Sequence, residues 1–398
     1  MVVLRRTFAS AAVFIFGFLQ IGFSQADIKS QGNSAAHAKQ IPVQQAPLSY
    51  VKLSNEPRIS LPYPDTTPTF LKRCDQEGNV YSWMLGSNGL EIVGFTRDGI
   101  KEFSASAITD IPEASINRFF PTDSGIEVLV NGIENVKKKT VTERIAGTDE
   151  KVQRVKKEGE RVYYIARFSK DGSYKSAVKL EIPRFQPYQI GAFQSGNYLV
   201  AGVEDDNVPR LYMVNSSGQP IKVLELPGDI NEKSKSLRNV LGPGSESTSI
   251  GVAAMFANLT GYRDKLLFVR SGLSPIVYEI RDSGEIRATK LHMPSGYNID
   301  TLLSSNQNWM VEAHKSAMVQ VAKPESAEDE EEEKIERTLF EIDPNSGEVL
   351  RQFVLRGAKR EVGIPELSLS CWREDQFIGL RQGHGRVTLV RGDAEVRP

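Results

Sequence analysis

The 398-residue chain carries 49 Lys and Arg against 50 Asp and Glu, a formal net charge of −1. With 40% hydrophobic residues it can bury a core, which excludes wholesale disorder, and the balanced charge gives no bulk attraction for nucleic acid. Two cysteines and four histidines exclude a disulfide scaffold and any cysteine-rich zinc module.

Residues 1–26 read as a secretory signal peptide. Arg5 and Arg6 form a basic start, 11–23 an apolar run, and Ser24 and Ala26 occupy the −3 and −1 positions of a cleavage site. Arg5 to Phe8 has the core of a twin-arginine signal, but its flanks fit the general secretory route better. No cysteine follows the run to take a lipid, and the run is short for a membrane span. No later segment approaches ~20 apolar residues. After cleavage the chain is expected to be soluble, without a membrane span, in a periplasm or outside the cell. Residues 27–48, rich in Ser, Gln, Ala and Asn, read as a flexible tether.

A repeat occupies the remainder. An apolar-alternating strand, a polar turn with Gly and a second such strand recur around Gly99, Gly172, Gly218, Gly284 and Gly347. Asp, Asn and Ser tolerate tight turns, and Gly accepts positive φ between antiparallel strands. A further strand precedes each pair, as at 78–83, 125–130, 196–201, 264–269, 308–312 and 375–380, which makes six such units. The shortest spacing, the 46 residues from Gly172 to Gly218, is the size of a bare four-stranded propeller blade.

On these units the chain resembles the six-bladed β-propeller class, broadly NHL-like or TolB-like, over residues 49–398. The resemblance implies an all-β ring of four-stranded antiparallel blades. It implies a fold far more than an activity, since the class holds binding proteins with a minority of hydrolases and lyases. The sixth unit lacks a fourth strand, and residues 50–54 and 58–61 have no blade of their own. An N-terminal strand is therefore expected to complete the last blade and close the ring.

Two hairpins are inserts. Residues 134–161 hold nine Lys and Arg and six Asp and Glu and read as a protruding ribbon. Residues 321–336 contain six consecutive acids at 328–333. Each is either a partner-docking arm or a solvated tip that protects strand edges. The acid run lacks the spaced ligands of a calcium loop.

Chemistry-bearing motifs are few. There is no G-x-S-x-G, H-E-x-x-H, P-loop or strand-linked G-x-G-x-x-G. Arg391, Gly392 and Asp393 spell the integrin tripeptide but read as a turn of the last blade. His37 falls in the tether. His292, His314 and His384 fall in neighbouring units on one expected face, where three imidazoles can hold Zn²⁺ or another divalent metal; three unrelated loop histidines are the alternative. Trp83, Trp309 and Trp372 suit either a ligand platform or the packing between blades. Cys74 and Cys371 occupy the same register in the first and last units, six residues before Val80 and Phe377, so a disulfide across the closure is expected; two buried thiols are the alternative. The expected function is an exported binding or scaffold module for a protein, peptide or glycan. The rival is a metal-dependent lyase or hydrolase around the three histidines.

Overall fold

In the computed structural model the described residues are 48–62, 72–86, 89–144, 151–205, 208–225, 254, 257–271, 275–315, 337–355, 360–361, 364–365, 367–383 and 385–395. The expected signal peptide, the tether with His37, the acidic hairpin 321–336 and His384 lie outside them.

Strand β1 (Leu48–Pro62) comes first. Four sheets of four sequential antiparallel strands follow. The first is β2 (Lys72–Cys74), β3 (Val80–Gly86), β4 (Gly89–Thr96) and β5 (Gly99–Phe103). The second is β6 (Ser115–Thr122), β7 (Gly125–Arg144), β8 (Lys151–Ser169) and β9 (Tyr174–Lys179). The third is β10 (Phe185–Ala192), β11 (Tyr198–Glu204), β12 (Pro209–Val214) and β13 (Pro220–Val223). The fourth is β14 (Thr260–Tyr262), β15 (Lys265–Arg270), β16 (Ile276–Arg281) and β17 (Ile286–Lys290). Then come β18 (Tyr297–Ser305), β19 (Trp309–Lys315), β20 (Arg337–Ile342) and β21 (Val349–Leu355). A small pair, β22 (Arg360–Glu361) with β23 (Ile364–Pro365), precedes β24 (Leu367–Arg373), β25 (Gln376–Gly383) and β26 (Arg386–Glu395).

The fold is all-β with a propeller-like arrangement, but six separate blades are not present. Four are. Strands β18–β21, β24–β26 and β1 instead form one closed eight-stranded sheet. The reason lies in two short parallel pairings. Ser304 and Ser305 of β18 pair with Cys371 and Trp372 of β24, and residues 48–51 of β1 pair with 352–355 of β21. These join two antiparallel halves that would otherwise stand apart. The N-terminal strand does reach the last one: β1 runs antiparallel to β26 from Tyr50 opposite Glu395 to Pro62 opposite Arg386. Arg391, Gly392 and Asp393 are no turn. They sit within β26, paired to β1 on one side and β25 on the other.

Second strands are apolar on both faces rather than alternating, because each is packed between neighbouring sheets. Leu266 to Val269 and Trp309 to Ala313 are buried without interruption. Trp309 and Trp372 are fully buried, and Trp83 nearly so, so all three tryptophans belong to the core. The turn glycines have a second role besides positive φ. At Gly218 (φ +87°), an added Cβ would lie 1.9 Å from the carbonyl oxygen of Lys179, at the end of the preceding sheet's outer strand. Gly347 meets Lys290 in the same way, at 2.1 Å. The contact is sealed by hydrogen bonds from the Glu181 N–H to the Gly218 carbonyl and from the His292 N–H to the Gly347 carbonyl, both 2.9 Å.

Candidate functional site

The first strands of the sheets line two adjoining cavities. The smaller, about 190 Å³, takes its walls from β2, β6, β18, β24 and the approach to β14. The larger, about 450 Å³, is lined by turns that follow first strands and by the strand ends beside them, including Asp75, Asp123, Glu127, Tyr198, Lys265 and Arg373. Cys74, Phe120, Pro121, Gly261 and Ser304 border both.

The smaller cavity is dominated by buried charge. Arg73 is 5% exposed. Its Nη2 donates to Gln189 Oε1 on β10 at 3.1 Å, and its guanidinium lies 5.5 Å from the Phe120 ring centroid. Gln189 in turn donates to the Ala257 carbonyl at 3.2 Å, so a polar link crosses from the first sheet to the third and on to the fourth. Among the described residues Nε and Nη1 of Arg73 have no partner, nor has the buried Ser370 hydroxyl on the same cavity wall. Burial, with Arg118's charge behind it, lowers the Arg73 pKa to about 9, which leaves it cationic at neutral pH. Lys72 precedes it. Burial first, then the charge of Arg337, lowers the Lys72 pKa to about 7, with Glu312 opposing. Glu312, 2% exposed on β19, is ion-paired to Arg337 on β20, yet burial still raises its pKa.

The larger cavity is internally satisfied where it carries charge. Arg167 donates from Nε to the Tyr198 hydroxyl at 2.9 Å, and Tyr198 donates to Glu127 at 3.1 Å. Burial raises Glu127 despite Arg167. Arg373 joins three elements, donating to Ser304 Oγ at 2.7 Å and to the carbonyls of Asp75 and Gln76 at 3.1 and 3.3 Å. Beside it stand Cys74 and Cys371, with Cα atoms 5.8 Å apart and their sulfurs in bonding contact. That separation lies within disulfide reach.

The structure does not bring the described histidines together. His292 follows β17, bridges to Glu348 and has its Nδ1 3.8 Å from that carboxylate. His314 lies inside β19, not after it, with Nδ1 2.8 Å from Asp300. His292 is bonded to the Gly347 turn, which lies beyond Ile342 opposite Trp309, while His314 stands opposite Arg337 at the other end of that ladder. Five residues at about 3.4 Å each set those ends some 17 Å apart. Among the described residues no group of three His, Cys, Asp or Glu side chains is placed to hold a metal.

The ribbon is a separate feature. Beyond Asn131 and Tyr163 the β7–β8 pair loses its neighbours in the sheet and continues as two strands to Arg144 opposite Lys151. Residues 135–140 are exposed throughout. The register sets Lys138 opposite Lys157 and Arg144 opposite Lys151.

What the sequence reading missed was the buried charge. Glu312 and Glu341 sit in segments read as apolar-alternating strands, and Arg73 in a segment given no reading. The one available signal was an acid in one strand and a base in the next at ladder distance, as in Glu279 with Lys265 (2.8 Å).

No family model and no curated protein matches the chain. Among solved structures it is similar to a candidate dipeptidyl aminopeptidase IV from Bacteroides ovatus, at 11% identity and a TM-score of 0.39, over 81% of this chain and 45% of that one. The chain thus spans less than half the length of that protein. It is also similar to the Pan2 WD40 domain of Neurospora crassa, at 10% identity and 0.38, over 87% and 94%. A third is the WD40 domain of SCAP from fission yeast, at 11% and 0.29, over 87% and 91%. At such scores these likenesses assign no activity.

Proposed function

We propose that the chain is an exported, propeller-like protein-binding module whose basic ribbon docks an acidic surface of its partner. The ribbon carries the reading. A solvated spacer needs no like-charged residues at paired positions, and such pairs destabilise a two-stranded ribbon. An acidic partner relieves that repulsion, and nine cations against six anions over 134–161 set the sign. The ring behind it is read as six units, the eight-stranded sheet being two blades joined at their inner and outer edges. Export rests on residues 1–26 and on Cys74 and Cys371, which meet as an oxidised pair would in a secretory compartment. No helix among the described residues is long and apolar enough to cross a membrane. The lyase or hydrolase alternative has no metal cluster among the described residues behind it.

The test is cross-linking in the native compartment with wild type, a variant with Lys137, Lys138 and Lys151 changed to Glu, and one with the ribbon replaced by a short turn. The expected partner is captured by wild type, lost by both variants, and released as salt rises, because exposed charges are screened within ~8–10 Å. A partner kept by both variants, or one insensitive to salt, overturns the reading. Cell fractionation and N-terminal sequencing test export: a mature chain starting at Asp27 is expected.

A further inference from the structure

Arg73 is a buried cation without a counter-ion. Among the described residues no carboxylate pairs with it, and its contacts are one amide oxygen and one aromatic face. A cation withdrawn from water costs several kcal/mol unless it is paired. A cation–π contact returns about 0.5–2 kcal/mol of this, and a hydrogen bond to a charged group about 1.5–3. The nearby charges do not close the gap. Of the two carboxylates on the cavity wall, Glu312 is held by Arg337 and Asp300 by His314. Arg73 remains without an ion-pair partner among the described residues, and Arg118 adds a like charge close enough to bear on it. Arg73 and Ser370, the two residues that carry the unpartnered Nε, Nη1 and hydroxyl donors, both line the same small space.

We propose that this axial cavity is a binding site for the carboxylate of a small organic acid, gripped by Arg73 and Ser370 with Lys72 at its edge. Size selects the class. At about 30 Å³ per water the cavity holds roughly six waters, which matches an acid of about four to six non-hydrogen atoms. A planar carboxylate also suits a guanidinium, and it can accept from the hydroxyl beside it. The site is independent of the ribbon and holds whether or not the ribbon docks a partner.

The experiment is a titration of the full-length mature protein with sodium acetate and sodium lactate, set against inorganic phosphate and chloride at matched ionic strength, followed by calorimetry and ligand-observed NMR. Saturable binding of the carboxylates is expected, weakened about tenfold or more in Arg73→Lys, which keeps the charge but loses the fork. Because Arg73 also holds Gln189, Ser370→Ala serves as the second variant. It leaves every charge in place and is expected to weaken acetate binding several-fold with an unchanged unfolding midpoint. No saturable carboxylate binding by ~10 mM, a binding free energy weaker than ~2.7 kcal/mol, overturns the proposal. So does phosphate or chloride binding as tightly as acetate, or Arg73→Lys and Ser370→Ala both binding as wild type does.

Discussion

Reduction of the Cys74–Cys371 pair is the most informative perturbation, because it changes one bond and leaves the packing around it intact. The two residues are separated by 297 positions, so a bond between them constrains nearly the whole unfolded chain. The chain-entropy model gives about 5–6 kcal/mol for a loop of that length, and measured bridges commonly deliver 2–4. The folded state already ties the same two regions together through β1 with β26 and through Arg373 with Asp75 and Gln76. Those contacts vanish on unfolding and do not lessen the entropic effect. The assay is urea denaturation of protein matured in its own compartment, with and without reductant, beside a Cys74→Ala/Cys371→Ala variant. Alanine avoids the buried unpaired hydroxyl that serine would leave. The reduced protein is expected to lose about 2–5 kcal/mol, and the variant to be indifferent to reductant. Two titratable thiols per chain in freshly isolated, denatured protein would refute the reasoning, as would equal midpoints for oxidised and reduced forms.

Gly218→Ala and Gly196→Ala form a matched pair, since φ is +87° and +89°. Gly196 has no neighbour nearer than 3.6 Å, whereas Gly218 faces Lys179 at 1.9 Å, so Gly218→Ala is expected to cost about 1–3 kcal/mol more in chemical denaturation; equal losses would remove the inter-sheet role assigned to this turn. Lys72 is neutral in the folded protein above about pH 7 but protonated in the unfolded chain up to about 10.4, so unfolding takes up a proton in that window and stability rises with pH. Lys72→Met is expected to flatten that rise between pH 7 and 10; an unaltered slope would show that burial and Arg337 do not depress Lys72 as described. Glu279→Leu strands the largely buried Lys265 and is expected to cost up to about 3 kcal/mol, most of it recovered by adding Lys265→Met. An additive double variant would contradict a coupled pair.

The recurrent turns were legible because their chemistry is local. Gly99, Gly172, Gly218, Gly284 and Gly347 all adopt the positive φ their neighbours predict. The equal register of Cys74 and Cys371 could also be read, since position within a repeat converts directly into position on the ring. The joining of the last two units could not. It depends on where β18 meets β24 and β1 meets β21, short backbone pairings that leave no trace in residue type. Which end of a strand each histidine occupies was hidden for a related reason. Shared membership of neighbouring units does not specify which end of a ladder a residue occupies, and His292 and His314 fell at opposite ends. Arg73 was invisible because nothing in a three-residue strand, Lys72–Cys74, distinguishes a solvated Arg from one crossing an axis to reach Gln189.

The partnership of β1 with β26 has a consequence for the order of events during synthesis. Among the described strands the first is matched with the last, so β1 lacks its β26 partner until that strand has been made. Each of the four separate sheets can close from its own consecutive hairpins as it emerges, but the ring cannot shut until Arg386–Glu395 arrives. Closing so long a loop is entropically slow.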